Sequence, residues 1–114
     1  MSVAISSRDV SDVTVVNLTG RVTLGEATGK VRDAVRELVE RGRTKILLDL
    51  GGVTYIDSAG LGELVGAYTT VANKGGQLKL LNVTGRALDL MQVTKLATIF
   101  ELFEDEAAGV RSFP

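Results

Sequence analysis

The most restrictive feature of this sequence is a short apolar run, Lys45 to Leu50 (KILLDL), set between two stretches of helical period. A run this brief and this continuously apolar suits a strand covered on both faces. Before it, from Gly25 to Arg41, Val31, Ala34, Val35, Leu38 and Val39 recur on one helical face. Lys30, Arg32, Asp33, Arg36, Glu37 and Glu40 fall elsewhere around the turn, which predicts an amphipathic helix. Gly42 follows, where a left-handed C-terminal cap belongs. After the run, Leu61, Leu64, Val65, Tyr68 and Val71 share the face of a second helix, stopped by Gly75 and Gly76. A buried strand between helices requires a layered α/β architecture.

The remaining segments fit that frame. Val13 to Leu18 (VTVVNL) is rich in β-branched residues and predicts a strand. Val3 to Ser7 predicts a shorter one, with Arg8 to Asp12 turning the chain between them. A connection so short permits only an antiparallel hairpin. Gly20 breaks the strand pattern. Gly51 and Gly52 interrupt the run that starts at Lys45, and Val53 to Ile56 forms a brief extended approach to Asp57 and Ser58. Gln77 to Leu81 predicts a further strand. Thr84 to Gln92 predicts a third helix, with Thr84 as its cap and Leu88 and Met91 inward. Ile99 to Phe103 predicts a last short strand, and Asp105 to Val110 a polar helix. Strands separated by single helices imply a mostly parallel mixed sheet with right-handed crossovers, in the order ββαβαβαβα with about four helices. No repeat, low-complexity tract or linker divides residues 1–114, which read as one domain.

Composition narrows the chemistry. The chain has no Cys and no His. Disulfides, thiolate catalysis and sulfur-ligated metals are excluded, and so are the usual general base and the commonest transition-metal ligand. Ser-His-Asp and Cys-His sites cannot be built from it, so the chain is expected not to be an enzyme and to need no cofactor or metal. With 13 basic residues against 14 acidic ones it carries a formal charge of −1, without the basic balance of a nucleic-acid binder. Met1 to Asp12 lacks the form of a signal peptide. No stretch approaches the roughly 18 uninterrupted apolar residues of a membrane span. A soluble, cytoplasmic protein is expected.

One segment has chemical purpose: Tyr55-Ile56-Asp57-Ser58-Ala59-Gly60-Leu61-Gly62. It stands where a strand hands over to a helix, at the carboxyl end of the sheet, where open α/β folds engage ligands and partners. Ser58 is expected at or beside the N-cap, its hydroxyl accepting a bond from a first-turn amide. Gly60 and Gly62 weaken the first turn and offer a low-relief surface for close approach. Local physics leaves two readings open. Asp-Ser ahead of an apolar helix is most often only a capping pair, and added charge at that point would also alter a surface. A phosphate on Ser58 would add about −1.5 to −2 charge and three acceptor oxygens. The helix dipole favours that charge, the neighbouring Asp57 opposes it, and the fold should persist.

The string Ile46-Leu47-Leu48-Asp49-Leu50, then Val53, then Tyr55 to Gly62, is similar to the signature of anti-sigma factor antagonists, members of the STAS domain family. Leu18-Thr19-Gly20-Arg21-Val22, Gly75-Gly76-Gln77-Leu78 and Val93-Thr94-Lys95-Leu96 resemble further family segments, so the likeness spans most of the chain. The resemblance implies partner switching. An unphosphorylated antagonist binds an anti-sigma factor that is also a serine kinase, and so frees the sigma factor. The kinase phosphorylates the serine after the Asp, which is Ser58 here, and a PP2C-type phosphatase resets it. Asp57, Ser58, Ala59, Gly60, Leu61 and Gly62 would then form the partner-binding surface. Close relatives often carry Ser or Thr where this chain has Ala59, which leaves Ser58 as the one hydroxyl after Asp57 in the motif.

Other readings are weaker. Asp49 resembles the phospho-acceptor of a receiver domain, but Thr19-Gly20-Arg21 supplies none of the carboxylates needed for Mg²⁺. It reads as a partly exposed residue near the strand end. Gly-x-Ser-x-Gly is not matched, because Ile56 stands at its first position. Gly75-Gly76 lacks the Lys and Ser/Thr of a P-loop. Glu104, Asp105 and Glu106 suit a solvated helix start. Leu24 and Leu61 could be core or partner-facing; Leu64 reads as core. An accessory or scaffold STAS subunit of a transporter or signalling complex is the alternative function. Nucleotide binding at the helix start is a third, lacking a Gly-rich loop or basic clamp.

Overall fold

The computed structural model describes residues 3–114, with the backbone alone for Arg86 and Ala97. Met1 and Ser2, part of the N-terminal stretch read above, lie outside the described residues. The elements run β1 (Val3–Val10), β2 (Val13–Val22), α1 (Glu26–Glu40), β3 (Lys45–Ile56), α2 (Ser58–Ala72), β4 (Gln77–Leu81), α3 (Gly85–Val93), β5 (Leu102–Phe103) and α4 (Glu106–Arg111). A 3-10 turn, Leu96–Thr98, precedes β5. The five strands lie in one sheet in sequence order, β1 antiparallel to β2 and every other pair parallel. The ββαβαβαβα order and mixed sheet expected from the sequence are present.

Four strand readings differ from expectation, each for a physical reason. The hairpin is longer and its turn tighter, because Val10 pairs directly with Val13 and Ser11 takes a left-handed conformation (φ 56°). Gly20 does not end β2. It sits inside the strand with φ 105°, where the register against β3 shifts between Gly20 and Arg21. A glycine supplies that left-handed bulge conformation at little cost. Gly51 and Gly52 do not interrupt β3, since β2 continues alongside and pairs Thr19 with Gly52 and Gly20 with Val53. At the other end, Ile99 to Phe103 is not a continuous strand. Phe100 turns into the core (5% exposed), and only Leu102 and Phe103 pair with β4.

Alternation along the strands divides the core into two layers. Val16, Leu18, Ile46, Leu48, Leu78 and Leu80 face α1, α2 and α3, which contribute Val31, Val35, Leu64, Val71 and Met91. Burying each such side chain stabilises by about 1.5–3 kcal/mol relative to leaving it in water. Leu88, expected inward with Met91, is only partly buried. Thr84 stands at the N-cap of α3 but makes no side-chain cap bond. On the opposite sheet face Val13, Val15, Leu47, Leu81 and Phe113 form a smaller layer, with Val110 of α4 packed against it.

A buried lysine fastens that second layer. Lys79 is 4% exposed. Its ammonium donates to the Ser112 carbonyl and hydroxyl, each at 3.0 Å, and lies 3.2 Å from Glu101. It also stands 4.7 Å from the Phe113 ring centroid and 5.9 Å from that of Phe103. Desolvating a cation requires such partners. Asp105 caps α4 by accepting from the Ala108 amide at 2.9 Å, and Glu106 pairs with Arg8.

Candidate functional site

The carboxyl end of β3 delivers Asp57 to the start of α2. Its backbone is extended (φ −104°, ψ −178°), the conformation of an N-cap residue. One carboxylate oxygen, Oδ1, accepts from the Gly60 amide at 2.7 Å. The other, Oδ2, accepts from the Leu24 amide in the β2–α1 connection at 3.1 Å. Asp57 therefore caps the helix and ties a loop to it. These bonds, the Gly60 amide foremost, hold its carboxyl below the usual carboxylate range against the opposing effect of partial burial; the amides of Leu24, Asp57 itself and Ala59 add to them.

Ser58 is the first residue of α2 and is exposed. Sequence reasoning placed it at or beside the cap; the structure places it beside. The expected cap bond to its hydroxyl is not made, because Asp57 takes the amide instead. Among the described residues, the Ser58 hydroxyl has no hydrogen-bond partner. It projects from the positive end of a fifteen-residue helix, where an anion is favoured.

The glycines of the motif do different work. A Cβ on Gly60 would lie 2.1 Å from the Val22 carbonyl oxygen and 2.9 Å from Ile56 Cγ1. Gly60 is thus a packing requirement that lets the first turn of α2 rest on the end of β2, and it is buried. The low-relief surface expected of both glycines belongs to Gly62, which is exposed with open space where a Cβ would stand. Leu61 and Leu64 are core residues at 1% and 0% exposure, whereas Leu24 is 78% exposed. Ala59 is half-buried. Arg32 of α1 and Glu63 of α2 pair at 2.7 Å and bind the two helices flanking this surface.

Asp49 lies within β3, its carboxylate accepting from the Gly51 amide at 2.8 Å and Asn82 Nδ2 at 3.1 Å. No group of three or more carboxylates among the described residues could hold a metal ion. Among the described residues, no helix is long and apolar enough to cross a membrane. What the site offers is an accessible hydroxyl, a fixed carboxylate and an exposed leucine.

The STAS domain profile matches residues 4–109. The chain belongs to the STAS domain family. It is 33% identical over 96 residues to the anti-sigma-B factor antagonist of Bacillus subtilis (strain 168), covering 84% of this chain and 86% of that protein. Among solved structures it is similar to an anti-sigma factor antagonist from Mycobacterium paratuberculosis, with TM-score 0.83, 19% identity, and coverage of 98% of this chain and 94% of that one. It also resembles the Bacillus cell fate determinant SpoIIAA in its phosphorylated form, with TM-score 0.73, 22% identity, and coverage of 96% and 99%. These structures share the fold; the curated relatives are named as anti-sigma factor antagonists.

Sequence reasoning missed two features here. The Asp57–Leu24 bond joins positions far apart in the chain, and no local pattern announces it. The Gly60–Val22 contact is also long-range, although a glycine inside an otherwise apolar helix face was its one visible signal.

Proposed function

We propose that this protein is an anti-sigma factor antagonist switched by phosphorylation of Ser58. The observation that carries the reading is the exposed Ser58 hydroxyl, without a hydrogen-bond partner among the described residues, at the first position of α2 and directly after a carboxylate that caps the helix. In the unmodified state the surface comprising Ser58, Gly62 and the exposed parts of Asp57 and Ala59 docks on an anti-sigma factor that is also a serine kinase. Gly60 and Leu61 support that surface from beneath. Binding withdraws the anti-sigma factor from its sigma factor.

In the kinase step, Ser58 Oγ attacks the γ-phosphorus of ATP. The bond to the ADP oxygen breaks, ADP leaves, and the hydroxyl proton passes to a base of the kinase. The added charge of about −1.5 to −2 faces the partner surface and lies beside Asp57. Because the cap bond is made by Asp57 and not by Ser58, modification leaves the helix start intact. A PP2C-type phosphatase restores the hydroxyl. Incubation with the serine-kinase anti-sigma factor and ATP should add one phosphate, mapped by mass spectrometry to Ser58 and absent from Ser58→Ala. A phosphate on Thr54 or Thr69, with Ser58→Ala still modified, would sink the proposal.

A further inference from the structure

We infer that Leu24 is a contact residue for the same kinase-type anti-sigma factor, held beside Ser58 by Asp57 acting as a positioning residue; this rests on the function proposed above. A lone exposed leucine means little, since apolar atoms make up much of any protein surface. The backbone around Leu24 is what sets it apart. Its amide donates to Asp57 Oδ2 at 3.1 Å, and the other oxygen of that carboxylate caps the helix that Ser58 begins, at 2.7 Å from the Gly60 amide. On its far side, the Gly25 amide donates to Thr28 Oγ1 at 3.2 Å, and that hydroxyl donates back to the Gly25 carbonyl at 3.0 Å. The loop is thus fixed from both directions while the Leu24 side chain stays in water at 78% exposure.

Fixing a loop before binding removes part of the ordering cost of an interface. An apolar side chain held in place beside low-relief surface can enter a pocket on a partner and act as an anchor. Gly29 and Gly62 both have open space where a Cβ would stand, so neither blocks approach. The occupant follows from the chemistry of the switch. A protein that phosphorylates Ser58 must cover the surroundings of that hydroxyl, and a single carboxylate links Leu24 to the same helix start.

The test titrates wild type, Leu24→Ala, Leu24→Met, Asp57→Asn, the Leu24→Ala/Asp57→Asn pair and Ser58→Glu into the purified serine-kinase anti-sigma factor of the same organism. Calorimetry reads affinity, and thermal melts report folding. Asn is a good N-cap and keeps one acceptor for Gly60, while its amide nitrogen would oppose the Leu24 N–H. Leu24→Ala should weaken binding about tenfold with an unchanged melt, and Leu24→Met should restore it to within about twofold. The double variant should bind about as weakly as the weaker single one, since both changes disable one contact. Wild-type affinity in Leu24→Ala, with Ser58→Glu weakened, overturns this inference and leaves the proposed function standing. Losses that multiply in the double variant overturn the positioning role. Absence of wild-type binding overturns both.

Discussion

Asp57 and Leu24 are joined by a hydrogen bond from the Leu24 amide to Asp57 Oδ2, at 3.1 Å across 33 positions of chain. The bond makes the cap of α2 and the connection before α1 one mechanical unit. Asp57→Ala removes both of its acceptors. Loss of an N-cap costs about 1 kcal/mol, so the urea midpoint should fall with the slope of the transition unchanged.

That stability should depend on pH in a defined direction. The folded carboxyl of Asp57 lies below its ordinary value, held there chiefly by the Gly60 amide. A depressed folded value means that the stabilisation is fully present above the unfolded value of about 3.9 and is lost as pH falls through the folded one. The difference in unfolding free energy between wild type and Asp57→Ala should therefore be full near neutrality and shrink below about pH 4. Urea titrations of both proteins across that range check it; a difference that grows on acidification contradicts the assignment.

Gly60 and Gly62 provide a paired test on one turn of helix. Gly60→Ala drives a Cβ to within 2.1 Å of the Val22 carbonyl, which neither the strand end nor the helix start can avoid without shifting. A loss of about 1–3 kcal/mol is expected, in the manner of an overpacked core. Gly62→Ala meets open space and gains helix propensity, so it should be neutral or stabilising by up to about 1 kcal/mol. Denaturation midpoints of the two variants should move in opposite directions or, at the least, far apart.

The same residues show where sequence reasoning works and where it stops. The apolar run from Lys45, the helical period after Leu61 and the intervening Asp57–Ser58 pair locate the junction, because each is a local pattern. The division of labour between the two residues is not local: whether Asp57 or Ser58 supplies the cap depends on a backbone boundary set by hydrogen-bond geometry. Gly20, Gly51 and Gly52 read as breaks because glycine has little strand preference of its own, yet pairing between β2 and β3 carries the strands through them. The shortness of β5 follows from Phe100 entering the core, a tertiary demand with no counterpart in its neighbours.

Lys79 was equally hidden, since a lysine at an alternating position of Gln77 to Leu81 resembles an ordinary exposed residue. Its bonds to Ser112 and its place near the Phe103 and Phe113 rings make it the fastening of α4. Lys79→Ala removes hydrogen bonds from a charged donor, each worth about 1.5–3 kcal/mol, and opens space beside both rings. Amide exchange in α4 should accelerate more than exchange in α2. Lys79→Met keeps most of the volume and should protect α4 better than alanine does.

The proposed switch at Ser58 can be mimicked with an acidic side chain. Ser58→Glu places a carboxylate at the first position of α2, where the helix dipole tolerates it and Asp57 retains the cap bond to Gly60. The circular dichroism spectrum and melting temperature should stay close to those of wild type. Binding to the serine-kinase anti-sigma factor should weaken by about a hundredfold, because burying an unmatched charge in an interface costs several kcal/mol and each 1.4 kcal/mol is a factor of ten. Ser58→Ala should bind like wild type and resist phosphorylation. If the acidic variant binds as tightly as the alanine variant, charge exclusion at Ser58 is wrong. If it loses its melt as well, the change acts through the fold, and the separation between cap and switch made by Asp57 and Ser58 does not hold.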